Sequence, residues 1–159
     1  MKTALKIFAI GFFGILLLLV RAYEEMLFYD PLLEYFKMDY KNSPLPEMDF
    51  ISLQWGVFLR YMLNTAISLM IIWLVFMDRE IIKLSLVLYA ILFIVLFLAF
   101  SVIIYTSDAS TDQFVLFYVR RFLIQPLFLL ILLPAFYFQK YKIKWFLIYL
   151  LLTSWMEKW

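Results

Sequence analysis

Four long apolar runs, separated by short polar stretches, set the pattern of the chain. They cover Ala4 to Val20 ("ALKIFAIGFFGILLLLV"), about Leu53 to Met77, Ile82 to Tyr105 and about Phe114 to Phe138. A membrane-spanning helix needs roughly 20 apolar residues, so the last three are long enough and the first is short. None alternates apolar and polar positions as a membrane β-strand does. The pattern predicts an all-α, polytopic membrane protein with four transmembrane helices in a single integral membrane domain over residues 1–159. The first run, with Lys2 and Lys6 ahead of or within it, also has the form of a signal peptide. Arg21, Ala22, Tyr23 and Glu24 follow it without a small-x-small cleavage pattern, so an uncleaved anchor is expected. Trp145 to Trp155 is too short to span comfortably and is expected to form a short interfacial helix at the C-terminus, insertion being the alternative.

The polar residues between the runs orient them. Lys2 and Lys6, then Arg79 and Lys83, then Lys140, Lys142 and Lys144 all fall on one side, which the positive-inside rule makes cytoplasmic, with both termini there. The other side receives the loop over residues 21–52 and the short "TSDASTDQ", which carries no base. Within the long loop, "LFYDPLLEYFKMDY" places Asp30 as an N-cap before Pro31 at a first helical position. The short helix expected there has an apolar side, Leu32, Leu33, Tyr35 and Phe36, suited to rest on headgroups. The two prolines of "NSPLPEMD" then force an extended return.

Composition narrows the chemistry further. A chain that is 67% hydrophobic and 21% aromatic, with three glycines in 159 residues, belongs to the membrane class. With neither Cys nor His, thiol catalysis, disulfides and imidazole chemistry are excluded, and no cofactor or metal site is expected. The net charge of +2 is too small and scattered for nucleic acid. Every Asp and Glu falls in a loop or tail and no Ser has a base at helical spacing, so no catalytic residue is assigned. Aromatic residues near the span ends read as interfacial belts.

The exceptions to the apolar pattern are Arg60 in the second run and Arg120 and Arg121 in the fourth. A charged side chain costs roughly 2.5–3.5 kcal/mol at a helix centre in a membrane, so such residues face protein or water. Counted at about 1.5 Å per residue, all three lie on the order of 10 Å below the outer surface. Both runs lead inward, and helical side chains lean toward the helix N-terminus, so the guanidinium groups reach outward. Gly56, Arg60, Asn64 and Ser68 recur every fourth residue, and Arg121 and Gln125 do likewise, which draws polar stripes suited to helix–helix contact. Arg120 points about 100° away from Arg121. Pro126 and Pro134 are expected to bend the fourth run, Pro126 freeing the carbonyl of Phe122. The candidate site is therefore an outer-leaflet polar or anion-binding cluster of Arg60, Asn64, Arg120, Arg121 and Gln125. Three readings stand: the arginines pair with Glu24, Glu25, Asp49, Asp108 or Asp112 and fix the bundle, they form a pocket for an anion, or they snorkel without a specific partner.

"RAYEEMLFYDPLLEYFK", "LRYMLN" and "FYVRRFLIQPLFLLILLPAFYFQ" resemble the small membrane proteins called exosortase F system-associated, over about Arg21 to Lys140. The resemblance implies the bacterial inner membrane and association with a protein-sorting system, with an exosortase or its substrate's C-terminal sorting helix as partner beside the lipid bilayer. Exosortases act through Cys, Arg and His; without Cys or His, this chain is expected to be a non-catalytic accessory protein. The alternative is a lipid- or anion-handling transporter subunit, although apart from Ser68 the second and fourth runs are almost wholly apolar beyond Asn64 and Gln125.

Overall fold

The computed structural model describes residues 3–38, 46–106 and 113–140, and every regular element among them is helical. In order these are α1 (Thr3–Ala22), α2 (Glu24–Leu27), α3 (Leu32–Tyr35), α4 (Phe50–Phe76), α5 (Arg79–Thr106) and α6 (Gln113–Ile124), then α7 (Leu127–Lys140). Helices α1, α4 and α5 are long and apolar enough to cross a membrane, and α6 with α7 supplies a fourth crossing if the two make one span. Helix α1 is longer than its apolar run: its 20 residues correspond to about 30 Å, the thickness of a hydrocarbon core. The C-terminal segment 145–155, Lys142, Lys144, Asp108 and Asp112 lie outside the described residues.

Local chemistry sets the ends of α4. Asp49 is its N-cap, accepting from the Ile51 amide and from the Ser52 hydroxyl. The Ser52 hydrogen bond holds the Asp49 carboxyl below the usual carboxylate range. At the other end Met77 adopts a left-handed conformation, φ 49° and ψ 39°, and its amide donates to Trp73 O. Asp78 follows and accepts from the Glu80 amide, so two residues suffice to turn the chain from α4 into α5. The ammonium of Lys6 donates to Val75 O at 2.9 Å, satisfying a carbonyl of the last turn of α4. Helix α1 therefore runs antiparallel to α4, and Lys6 lies at the same end of the bundle as the 77–78 turn.

Met1–Pro126 is one compact unit. Helix α4 is its centre, packed against α1, α5 and α6. The α4–α5 hairpin is pinned by Gln54 Nε2 on Ser101 Oγ and by the Tyr61 hydroxyl on Tyr89 O, both 2.8 Å. Tyr61 and Tyr89 are buried in mid-helix, so they are packing residues and not members of an interfacial belt. The faces that α1 and α5 turn outward are rich in Leu, Ile, Val and Phe, as lipid contact requires.

Two expectations are corrected. The short loop helix does not present its apolar side outward: Leu32, Leu33 and Tyr35 are buried in the protein, and Phe36 packs edge-on against Phe117. Burial against neighbouring side chains satisfies this apolar side as well as headgroups would, and the loop is held there by charge. The fourth run bends at Pro126 as expected, α6 stopping at Ile124 and α7 beginning at Leu127, but the break does not recur at Pro134. Pro126 lacks the amide that Phe122 O would have accepted. Beyond it, α7 continues through Pro134 without interruption, with Leu129, Leu132 and Phe136 buried at helical spacing.

Met77 is the described non-glycine residue with positive φ, a conformation that costs an L-residue with a Cβ roughly 1 kcal/mol. Met77→Gly should raise the stability of the purified protein by about 0.5–1 kcal/mol, and Met77→Val should lower it. Thermal unfolding in detergent would show both shifts.

Candidate functional site

The repeat of Gly56, Arg60, Asn64 and Ser68 on α4 becomes one buried face. Arg60 is 1% exposed, in the eleventh position of α4 and so about 15 Å along it. Its guanidinium forms an ion pair with Glu24, the first residue of α2, and another with Asp30 at 3.3 Å. Arg120 of α6 grips the same Asp30 with both of its inner nitrogens, Nε on Oδ1 at 3.3 Å and Nη2 on Oδ2. Arg21, at the end of α1, pairs with Glu24 at 3.1 Å. The result is a ladder of alternating charge, Arg21, Glu24, Arg60, Asp30, Arg120, in which both carboxylates are shared. Phe28 lies under Arg60 and Phe36 under Arg120, with guanidinium carbons 5.9 and 5.7 Å from the ring centres, close enough for cation–π attraction.

The physics of burial explains which roles Asp30 takes. As an N-cap its carboxylate would satisfy one amide, worth about 1 kcal/mol. As the counter-ion of two buried guanidinium groups it offsets a desolvation penalty of several kcal/mol per ion. The second role wins, and α3 starts without a side-chain cap. This corrects the N-cap expected for Asp30.

Position depends on one close approach. A Cβ added to Gly56 would lie 2.4 Å from the carbonyl oxygen of Tyr29, so only glycine lets the loop backbone seat on α4 one residue before Asp30. Gly56 is one turn ahead of Arg60 on the same face, so the seat and the ion pair are in register.

Of the expected cluster, Arg60, Asn64 and Arg120 come together. Asn64 Nδ2 donates to Ile124 O at 2.9 Å, closing the end of α6 where the helix breaks. Arg121 and Gln125 do not join them: Arg121 is exposed, donates from Nε to Gln125 Oε1 at 3.2 Å and lies over Phe117. The 100° between adjacent helix positions turns Arg120 inward and Arg121 out. Of the carboxylates proposed as partners, Glu24 is one, Glu25 pairs with Lys37, and Asp49 caps α4. Asp30 and Arg21 were missed as network members. The signal for Asp30 was present: two apolar runs carry arginines, and the loop has to return a carboxylate to each.

Beside the ladder is a cleft of about 280 Å³, open on one side, with Arg21, Glu24, Lys37, Arg120, Arg121 and Gln125 on its polar wall. Leu33, Phe36, Phe117 and Ile124 form the apolar wall. The arrangement can neutralise and hold an anion that has an apolar neighbour.

Removing one partner of a buried pair costs about 3–5 kcal/mol. Asp30→Asn and Arg120→Leu should each lower stability by that amount in detergent unfolding, while Arg121→Leu should stay within about 0.5 kcal/mol of the parent. Gly56→Ala should cost about 1–3 kcal/mol and lift the loop. Since the chain has no Cys, a single cysteine at the buried Leu32 position should resist maleimide in the parent and react in the Gly56→Ala background. No protein-family model matches this chain, and neither does any curated protein or any solved structure.

Proposed function

We propose that this chain is a non-catalytic accessory membrane protein of a bacterial exosortase protein-sorting system. In this reading it sits in the inner membrane with both termini cytoplasmic and the charge ladder in the outer leaflet. The observation that carries the accessory role is the ladder itself. Glu24 and Asp30 each bind two arginines, so the buried ionisable groups are spent on latching the loop between α1 and α4 to the bundle. A latched loop is a fixed surface that a partner can read. Its exposed side carries Tyr23, Met26, Leu27, Tyr29 and Met38, a mix of aromatic and flexible apolar residues suited to protein contact in or beside a membrane.

The sorting system enters through sequence resemblance, and the three stretches that carry it meet at this site. "RAYEEMLFYDPLLEYFK" supplies Arg21, Glu24 and Asp30, "LRYMLN" supplies Arg60 and Asn64, and "FYVRRFLIQP" supplies Arg120 and Ile124. The partner proposed is an exosortase or the C-terminal sorting helix of its substrate, docking on the latched loop. A transporter is less well supported, since a path through the bilayer needs polar groups in both halves, and beyond Asn64 the buried face of α4 offers only Ser68.

Deleting the gene from its host should leave C-terminally sorted proteins uncleaved, and the parent gene should restore cleavage. Gly56→Ala, with a displaced loop, should restore less than half of it at equal membrane abundance. Normal cleavage in the deletion strain would remove the link to sorting.

A further inference from the structure

The ladder does not balance. It contains three guanidinium groups, Arg21, Arg60 and Arg120, and two carboxylates, Glu24 and Asp30. One positive charge is left over, and the Arg21 end of the network, where the side chain is half exposed, is open to a further counter-ion. Arg121 adds a second positive charge: among the described residues it has no carboxylate partner, and only its Nε is engaged. Arg120 keeps its Nη1 without a hydrogen bond among the described residues. Both arginines, with Arg21 and Lys37, border the same cleft; the one carboxylate among its lining residues, Glu24, is taken up by Arg21 and Arg60, and Lys37 also pairs with Glu25.

We propose that this cleft binds the phosphate of an anionic phospholipid headgroup. The guanidinium fork matches two phosphate oxygens at once, and with Nε held by Gln125, Arg121 offers Nη1 and Nη2, which have no hydrogen bond among the described residues. A volume of about 280 Å³ falls just under the roughly 300 Å³ at which pockets enclose a drug-sized molecule, so it admits a headgroup and leaves the acyl chains outside. The wall of Leu33, Phe36 and Phe117 lies next to the cations, which suits a ligand whose phosphate adjoins apolar glycerol esters. The surroundings favour lipid over a free ion: Tyr23 is 54% exposed and Tyr29 49% on the same loop, the aromatic residues expected at a bilayer interface. A lipid phosphate there would supply the negative charge that the ladder lacks. The inference needs the membrane setting and is independent of the sorting role.

The test is lipid retention by the full-length protein, purified in a mild detergent with an equimolar mixture of phosphatidylglycerol and phosphatidylcholine and read by native mass spectrometry. The parent should retain phosphatidylglycerol about ten-fold over phosphatidylcholine, whose phosphate is the same diester but whose choline cation is repelled by Arg21, Lys37, Arg120 and Arg121. Arg121→Gln should abolish most of that preference, Arg121→Lys should keep part of it, and Arg79→Gln at the opposite end should leave it intact. Lys37→Gln, at an exposed residue of the same cleft, should move it in the same direction as Arg121→Gln, so the result does not hang on one variant's folding. Unchanged phosphatidylglycerol preference in both cleft variants would overturn the site. Displacement of phosphatidylglycerol by a few-fold excess of inorganic phosphate would overturn the lipid assignment, leaving a site for free anions.

Discussion

Asp30 is the carboxylate on which the arrangement depends, because two arginines from different helices share it in a place where neither could stand alone. Arg60 is on α4 and Arg120 on α6, and one loop carboxylate between them ties both helices to the loop. Apolar faces supply little preference for one helix partner over another in lipid, since acyl chains are as apolar as leucine. Charge pairing, close backbone approach and buried amide bonds then choose the arrangement. All three occur within two turns of α4: Gly56 seats Tyr29, Arg60 binds Glu24 and Asp30, and Asn64 closes the end of α6. Arg60 meets Arg120 through Asp30, and Asn64 meets Ile124 four residues later, so α4 and α6 run parallel with matched registers.

The long helices and the small-polar stripe of α4 were legible in the sequence because each rests on a one-dimensional period: hydrophobic length for the helices, a repeat of four for Gly56, Arg60, Asn64 and Ser68. The choice between Arg120 and Arg121 was not legible. Adjacent positions differ by a fixed angle, but which of them faces inward is decided by where α4 and the loop sit. Asp30 illustrates a different limit. Its local context, an Asp before a Pro and an apolar pair, is a sound capping signal worth about 1 kcal/mol. A long-range demand several times larger overrode it, and such a demand has no local signature. The loop helix failed for a related reason: an amphipathic pattern states that an apolar side will be covered without stating by what.

Arginine suits the ladder for reasons beyond its charge. Arg60 reaches two carboxylates and Arg120 binds one through two nitrogens, and a lysine ammonium cannot reproduce either forked geometry. The planar guanidinium also lies against Phe28 and Phe36, so the aromatic residues of the loop shield the charges and are themselves positioned by them. The aromatic-rich loop and the arginines of the apolar runs, which look like separate peculiarities of the sequence, form one structure.

A ladder used only for architecture would be expected to end neutral, or to be absent. Replacing buried ion pairs by well-packed apolar residues is often neutral or stabilising, and a bundle this apolar has no shortage of such residues. What sets this ladder apart is where its excess charge appears. Arg60, at its centre, is enclosed, while Arg21 and Arg120 at its two ends both border the cleft that Arg121 and Lys37 also line. The interior rungs hold the fold, and the uncompensated charge is delivered to an accessible rim beside apolar side chains. Structural and anion-binding readings of the arginines are therefore compatible: the pairing that fixes Arg60 in the core is also what holds Arg120 at the cleft.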